Sequence, residues 1–261
     1  MITSRQNPLV KDLRQLHRSK IRRQQQCLLL EGTHLLEVAL QQGYPLEVLC
    51  YTEAWQGKYP PLAAAAQRQA SRTEIVSETV LASMATTVHP DGVVAILDDH
   101  YLPRQAASPL RLGLLLAAIQ DPGNVGTMIR TAAAAGADGL WLGPGTAAAD
   151  HPKVLRASAG MALRFPVLPT ADVGEMIATL KQQGVAIVAT TMGADCVYWD
   201  WDWRSPSLIV LGNEGAGLGD EIQALADGQV SIPQTSGVES LNVAIAAGLL
   251  LYEAQRQRRS A

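Results

Sequence analysis

Five short apolar runs, at residues 112–119, 140–142, 185–189, 208–211 and 230–232, have the length of buried parallel strands. Stretches with helical periodicity, at 125–135, 173–183 and 241–258, separate most of them. This alternation constrains the fold strongly: it predicts an α/β domain whose mostly parallel sheet is covered by helices. In such sheets ligands bind just beyond the carboxyl ends of the strands, so the segments that follow the strands are where function is sought.

The first half reads differently. A basic helical start is followed by predicted helices at 33–42 and 61–71 and strands at 48–51 and 93–97, a small α/β unit. The polar stretch "DDHYLPRQAASP" carries two prolines and no periodicity, as a linker does. The predicted division is a domain at 1–98, a linker at 99–109 and a second domain at 110–261. A chain of 261 residues with 48% hydrophobic and 17% charged content is large enough for two such cores. Its apolar runs are too short to span a bilayer and its start has no secretory h-region, so a cytoplasmic protein is expected. Cys27, Cys50 and Cys196 are scattered, which predicts neither a disulfide framework nor a metal site.

The net charge of -3 hides an asymmetry. Arg5, Lys11, Arg14, Arg18, Lys20, Arg22 and Arg23 crowd the first 23 residues against a single acid, Asp12, and the tail adds Arg256, Arg258 and Arg259. A solvated helix face and an arm that contacts phosphates both fit such a run.

Three segments after strands stand out. "QDPGNVGTMIRTAAAAG" leaves the first run through a Pro-Gly turn and carries Asn124, Gly126 and Arg130; "LGNEGAGL" carries Gly212, Glu214, Gly215 and Gly217; "IPQTSGVESLN" leads into the last helix with Ser240 and Asn242. Ser236 and Glu239 have capping-box spacing, but capping leaves Ser240 and Asn242 unexplained, and a helix N-terminus also receives ligands. The helix they precede is apolar on every face, as a helix buried on all sides reads. Dinucleotide, phosphate-loop, zinc-protease and nucleophile-elbow motifs do not occur, and the five histidines form no triad pattern with Ser240.

Together the three segments resemble the motifs of the SpoU (TrmH-type) ribose 2′-O-methyltransferases of the SPOUT class. N-x-G-x-x-x-R is met by Asn124, Gly126 and Arg130, G-x-E-G-x-G by 212–217, and I-P followed by S-L-N by Ile232, Pro233, Ser240, Leu241 and Asn242. The resemblance covers about 110–259, and "LLLEGTHLLEVAL" is similar to the RNA substrate-binding domain often fused to such enzymes. It implies a deep trefoil knot, a homodimer through the catalytic domain, an rRNA or tRNA substrate, and S-adenosylmethionine held by the backbone at Gly212, Ile232 and Leu241. Glycine at 212 suits that role, since a backbone without a side chain can approach a ligand closely. Arg130, Asn124, Glu214, Ser240 and Asn242 are then the catalytic set. Lys153 and Arg156, with Ser158, fit a recurring family segment near the RNA; the basic residues of 1–23, read from their charge, are the other RNA-contacting candidates. As a base, Arg130 would need its pKa lowered by about five units at about 1.4 kcal/mol each, so anchoring a phosphate is the less demanding role. A SPOUT enzyme acting on an RNA base, and a non-catalytic RNA-binding protein, are the alternatives.

Overall fold

The computed structural model describes residues 1–237 and 240–259, and among these the strands form two sheets, of four and seven strands. The chain divides into two compact units, Met1–Leu102 with Asp150–Arg164, and Pro103–Ala149 with Phe165–Ala261.

In the first unit, α1 (Pro8–Gln15) and α2 (Ser19–Gln25) precede β1 (Cys27–Glu31), α3 (Thr33–Gln41) and β2 (Leu46–Tyr51). Then come α4 (Glu53–Lys58), α5 (Pro60–Gln69), β3 (Ala70–Ile75), α6 (Glu78–Met84) and β4 (Val93–Asp98). The sheet order β1-β4-β2-β3 is mixed: β4 is antiparallel to both neighbours and β2 runs parallel to β3. The expected single basic helix is two helices, and they are not an appendage. Leu9, Val10, Leu13 and Leu16 are buried in a core with Val80, Leu81 and Met84 of α6, because apolar residues at this spacing put one face of α1 inward.

The second unit is built from β5 (Leu112–Leu116), α7 (Pro122–Ala134) and β6 (Gly139–Leu142). The chain then forms α8 (Pro152–Ala157), which belongs to the first unit, and returns with β7 (Val167–Pro169). There follow α9 (Val173–Gln182), β8 (Ala186–Thr190), β9 (Cys196–Val197), β10 (Ser207–Leu211), α10 (Asp220–Ala224), β11 (Gly228–Ser231) and α11 (Val243–Arg259). Every recorded pair in the order β7-β6-β5-β10-β8-β11-β9 is parallel. β5 and β10 are buried at all five positions, as their apolar sequences require, and the one polar residue among them, Ser207, donates from Oγ to the Ser205 carbonyl (2.7 Å). From β5 the sheet extends one way through β6 and β7 and the other way through β10, β8, β11 and β9, so that the strands that follow β5 in sequence begin on one side of it and continue on the other. This reversal opens the crevice in which α/β sheets hold ligands.

Two aspartates fix the strand starts. Asp138, before β6, accepts hydrogen bonds through Oδ2 from the amides of Arg111 (2.6 Å) and Leu112 (2.8 Å), and Asp227, before β11, accepts one from Ile187 (2.8 Å). β5 is shorter than its apolar run because Ala118 turns into the left-handed region at φ 59°. Among the described residues no helix is long and apolar enough to cross a membrane. Cys27 and Cys50 are buried free thiols, which burial pushes up to about 11 and about 12, whereas Cys196 is half-buried.

α11 corrects the sequence reading most clearly. It buries Val243, Ala244, Ala247, Leu250, Leu251 and Ala254 on one side and packs on α7, but Ile245, Leu249 and Tyr252 are 58%, 37% and 49% exposed. The helix is therefore not buried all round within one chain.

Candidate active site

Parallel pairing brings the ends of β8, β10 and β11 to one edge of the second unit, and the loops that leave them enclose a cleft of about 310 Å³. Gly212, Ile232 and Leu241, the predicted cofactor residues, line it with Glu214 and Ser240. Leu218, Val243 and Ala246 add apolar wall.

The glycine at 212 has a cause besides the close ligand approach expected of it. Asn213 and Gly217 exchange backbone hydrogen bonds of 3.0 and 2.9 Å, closing the loop on itself. A Cβ on Gly212 would overlap the Gly217 carbonyl and come within 2.5 Å of the Leu218 nitrogen. The residue is thus required by the loop's own backbone, before any ligand is considered.

Asn124 and Arg130 do not line the cleft. Asn124, in the first turn of α7, is nevertheless tied to it: its Nδ2 donates to Glu214 Oε1 at 2.6 Å, and its Oδ1 accepts from Asn242 Nδ2 at 3.1 Å. Asn242 in turn accepts through Oδ1 from the amides of Ala244 (2.9 Å) and Ile245 (3.3 Å), and so caps α11. Both ends of this chain dictate the same orientation. A carboxylate only accepts, which turns the Asn124 amide group toward Glu214; helix amides only donate, which turns the Asn242 oxygen toward α11. The bond between the two carboxamides follows. Here Asn242 is the cap, and the helix begins two residues later than expected; the capping-box reading involves Glu239, which lies outside the described residues.

Arg130 lies six residues beyond Asn124, about 9 Å along the helix and about 120° round it. It is exposed, with no recorded ion pair or hydrogen bond among the described residues. The structure brings Asn124, Glu214, Ser240 and Asn242 to one rim and leaves Arg130 apart from it.

Three contributors were missed from the sequence. Asn213 donates to the Ala118 carbonyl (2.9 Å) and accepts from the amides of Gly215 and Ala216, locking the glycine loop to the end of β5. Gln223 donates to the Leu218 carbonyl (2.6 Å) at the cleft wall. Thr190, which ends β8, and Thr191 and Met192, which follow it, line the cleft, a segment that strand-end logic marks out but whose residue types carry no motif. Among the described residues no group of three or more metal-ligating side chains stands together.

In the first unit Arg5, Lys11, Arg14, Arg18, Lys20 and Arg23 are exposed. Arg22 is not available to a phosphate: it is 1% exposed, donates from Nε to Asp150 at 3.0 Å and from Nη1 to the Leu16 and His17 carbonyls. Arg156 is paired with the buried Glu31 at 2.7 Å and Ser158 is fully buried, while Lys153 is exposed. His151, which caps α8 through Nδ1, is held below the usual histidine range by burial and by the Arg22 charge.

A wholly parallel sheet with a polar-rimmed cleft at its carboxyl edge defines a ligand-binding α/β protein of the kind that handles cofactors. Residues 111–252 match the model of the SpoU rRNA methylase family, and residues 7–95 that of the MRM3-like substrate-binding domain. An uncharacterized tRNA/rRNA methyltransferase of Synechocystis is 48% identical over 100% of this chain and 95% of its own. The 23S rRNA (guanosine(2553)-2′-O)-methyltransferase RlmP of Bacillus subtilis is 34% identical over 96% and 97%. The SpoU methyltransferase AviRb of Streptomyces viridochromogenes, solved with AdoMet, superimposes with a TM-score of 0.86 at 29% identity, covering 98% and 100%. The chain belongs to the SpoU rRNA methylase family.

Proposed function

We propose that this chain transfers the methyl group of S-adenosylmethionine to a ribose 2′-hydroxyl of RNA, with ribosomal RNA as the substrate class. The observation that carries the proposal is the Asn242–Asn124–Glu214 relay, which links all three motif loops at the rim of one cleft. The 2′-O activity in the name of RlmP and the AdoMet bound to AviRb support it, and favour ribose over a base. A non-catalytic RNA binder has no use for such a rim.

The cleft fits the cofactor. Its volume lies at the lower end of the range of small-molecule sites, about 300–1,000 Å³, and it combines apolar wall from Ile232, Leu241 and Val243 with polar backbone. When bound, S-adenosylmethionine supplies a methyl group already activated on a sulfonium. What remains for the protein is alignment and help with the hydroxyl proton. Asn124 keeps one lone pair on Oδ1 and one N–H beyond the relay, enough to orient a ribose hydroxyl. Glu214 and Asn242 prevent that carboxamide from flipping. Ser240 offers a hydroxyl to the same rim. Arg130 anchors a phosphate next to the target ribose.

The exposed stripe Ile245, Leu249 and Tyr252, with i, i+4, i+7 spacing, supports a homodimer through α11, and the distance of Arg130 from its own cleft supports its service to the partner's. The trefoil knot of the resembled enzymes belongs to the same proposal. The six exposed basic side chains of α1, α2 and their flanks, with Lys153, are the RNA-contacting set of the first unit. A cytoplasmic location belongs to the same proposal. The test is transfer of labelled methyl to RNA followed by digestion to nucleosides: label in a 2′-O-methylnucleoside is expected, and label in a base, or none, would sink the proposal.

A further inference from the structure

At the opposite end of the same sheet, where β5 begins and α7 and α11 end, Arg111, Arg258 and Arg259 line a second cavity of about 190 Å³. Arg258 donates from Nε to the Trp203 carbonyl (2.6 Å) and from Nη2 to the carbonyls of Arg111 (2.8 Å) and Ser205 (2.9 Å), all neutral acceptors. Among the described residues no ion pair is recorded for any of the three arginines. The carboxylate that lines the cavity, Asp138, uses one oxygen to hold the amides of Arg111 and Leu112. Two helix C-termini contribute about half a negative charge each. Three guanidiniums against one carboxylate and these partial charges leave an excess of about one positive charge. Burial, and then the Arg111 charge, hold Arg258 below the usual arginine range, the mark of like charges gathered in a half-buried place.

We infer that the Arg111–Arg258–Arg259 cavity is a phosphate-binding site, remote from the methyl-transfer cleft. A tetrahedral dianion or a phosphodiester offers several oxygens to guanidinium donors and neutralises the excess charge. The phosphate comes either from the backbone of the RNA substrate or from a free phosphate-bearing molecule. The inference does not rest on the proposed methyl transfer, since it needs only the charge and geometry of this end of the sheet.

The test uses the full chain and the double variant Arg111→Gln/Arg259→Gln, which leaves Arg258 and its carbonyl contacts in place. In chloride at low ionic strength the variant melts at the same temperature as wild type or above it, because repulsion around Arg258 is relieved. Inorganic phosphate at tenfold its Kd, with ionic strength matched by chloride, raises the wild-type melting temperature by about 3 °C more than it raises the variant's. RNA titrations then identify the source. If the site holds the RNA backbone, the slope of log Kobs against log salt is shallower in the variant by about 0.7–0.9 for each phosphate lost. An unchanged slope, with phosphate still stabilising the wild type more than the variant, assigns the site to a free phosphate. A variant that melts lower in chloride, or a phosphate effect equal in both proteins, overturns the inference and makes the arginines structural.

Discussion

Asn242 does two jobs through two different atoms, and replacing it with aspartate or alanine separates them. Its Oδ1 caps α11 by accepting from Ala244 and Ile245, while its Nδ2 orients Asn124. Asn242→Ala removes both. Losing the cap costs about 1 kcal/mol, which lowers the melting temperature by about 2–4 °C for a chain of this size. Asn242→Asp keeps an acceptor at the helix N-terminus and adds a charge that the helix dipole favours, so stability is held or slightly raised. It has no N–H for Asn124, however, and sets a carboxylate oxygen against Asn124 Oδ1. Flipping Asn124 brings no relief, because the N–H it then gives to the new carboxylate at position 242 is taken from Glu214, whose carboxylate is left facing the Asn124 oxygen. A misalignment of about 1.4–2.7 kcal/mol in the transition state corresponds to a loss of about 10–100-fold in single-turnover rate. Melting curves, calorimetric cofactor affinity and single-turnover methyl transfer check the three quantities. Asn242→Asp with a wild-type rate, or with the same loss of stability as the alanine variant, would refute the division of roles. Glu214→Gln, which still offers Asn124 an acceptor oxygen, is expected to lose less than tenfold.

Gly212→Ala is expected to abolish cofactor binding by forcing apart the turn between Asn213 and Gly217, seen as faster proteolysis of that loop even without cofactor; an intact loop with normal affinity contradicts this. Charge reversal at Arg14, Arg18 and Arg23 should flatten the salt dependence of RNA binding by about 0.7–0.9 per phosphate contact without unfolding. Arg22→Ala should instead destabilise by on the order of 3 kcal/mol, because it strands Asp150. Burial alone would raise the Asp227 carboxyl, but its bonds to Lys181 and the Ile187 amide hold it below its ordinary value. Its contribution is therefore present above the unfolded carboxylate pKa of about 4 and is lost as pH falls through the depressed one, so Asp227→Asn should flatten the acid limb of the stability curve; an unchanged limb refutes the pairing. Co-folded Arg130→Ala and Gly212→Ala chains should recover about a quarter of wild-type activity if Arg130 serves the partner's cleft, since half of randomly paired dimers are mixed and each has one complete site. Recovery no better than either variant alone, with mixed dimers verified by native mass spectrometry, excludes the shared site.

The sheet was legible in the sequence because strands buried on both faces are almost wholly apolar, as in "LGLLL" and, after Ser207, "LIVL". β7 and β9, with three and two residues, are too short for any pattern to register. α1 was misjudged because its charges are conspicuous while Leu9, Val10 and Leu13, which decide where it packs, are few. Glycines and carboxamides that follow strands stand out in the sequence, but the contact of Gly212 with Gly217 does not, since it is set by how the loop folds back. For the same reason Arg22 is indistinguishable from its neighbours until Asp150, 128 positions away, is placed next to it.

The central claim, methyl transfer to a ribose oxygen, is tested most directly by alkaline hydrolysis of RNA labelled by the protein with methyl-tritiated S-adenosylmethionine. A 2′-O-methyl group removes the hydroxyl that attacks the adjacent phosphodiester, so the account predicts label in alkali-resistant dinucleotides, and none when Asn124→Ala replaces the wild type. Label in mononucleotides would mean that a base is modified, and would contradict the account.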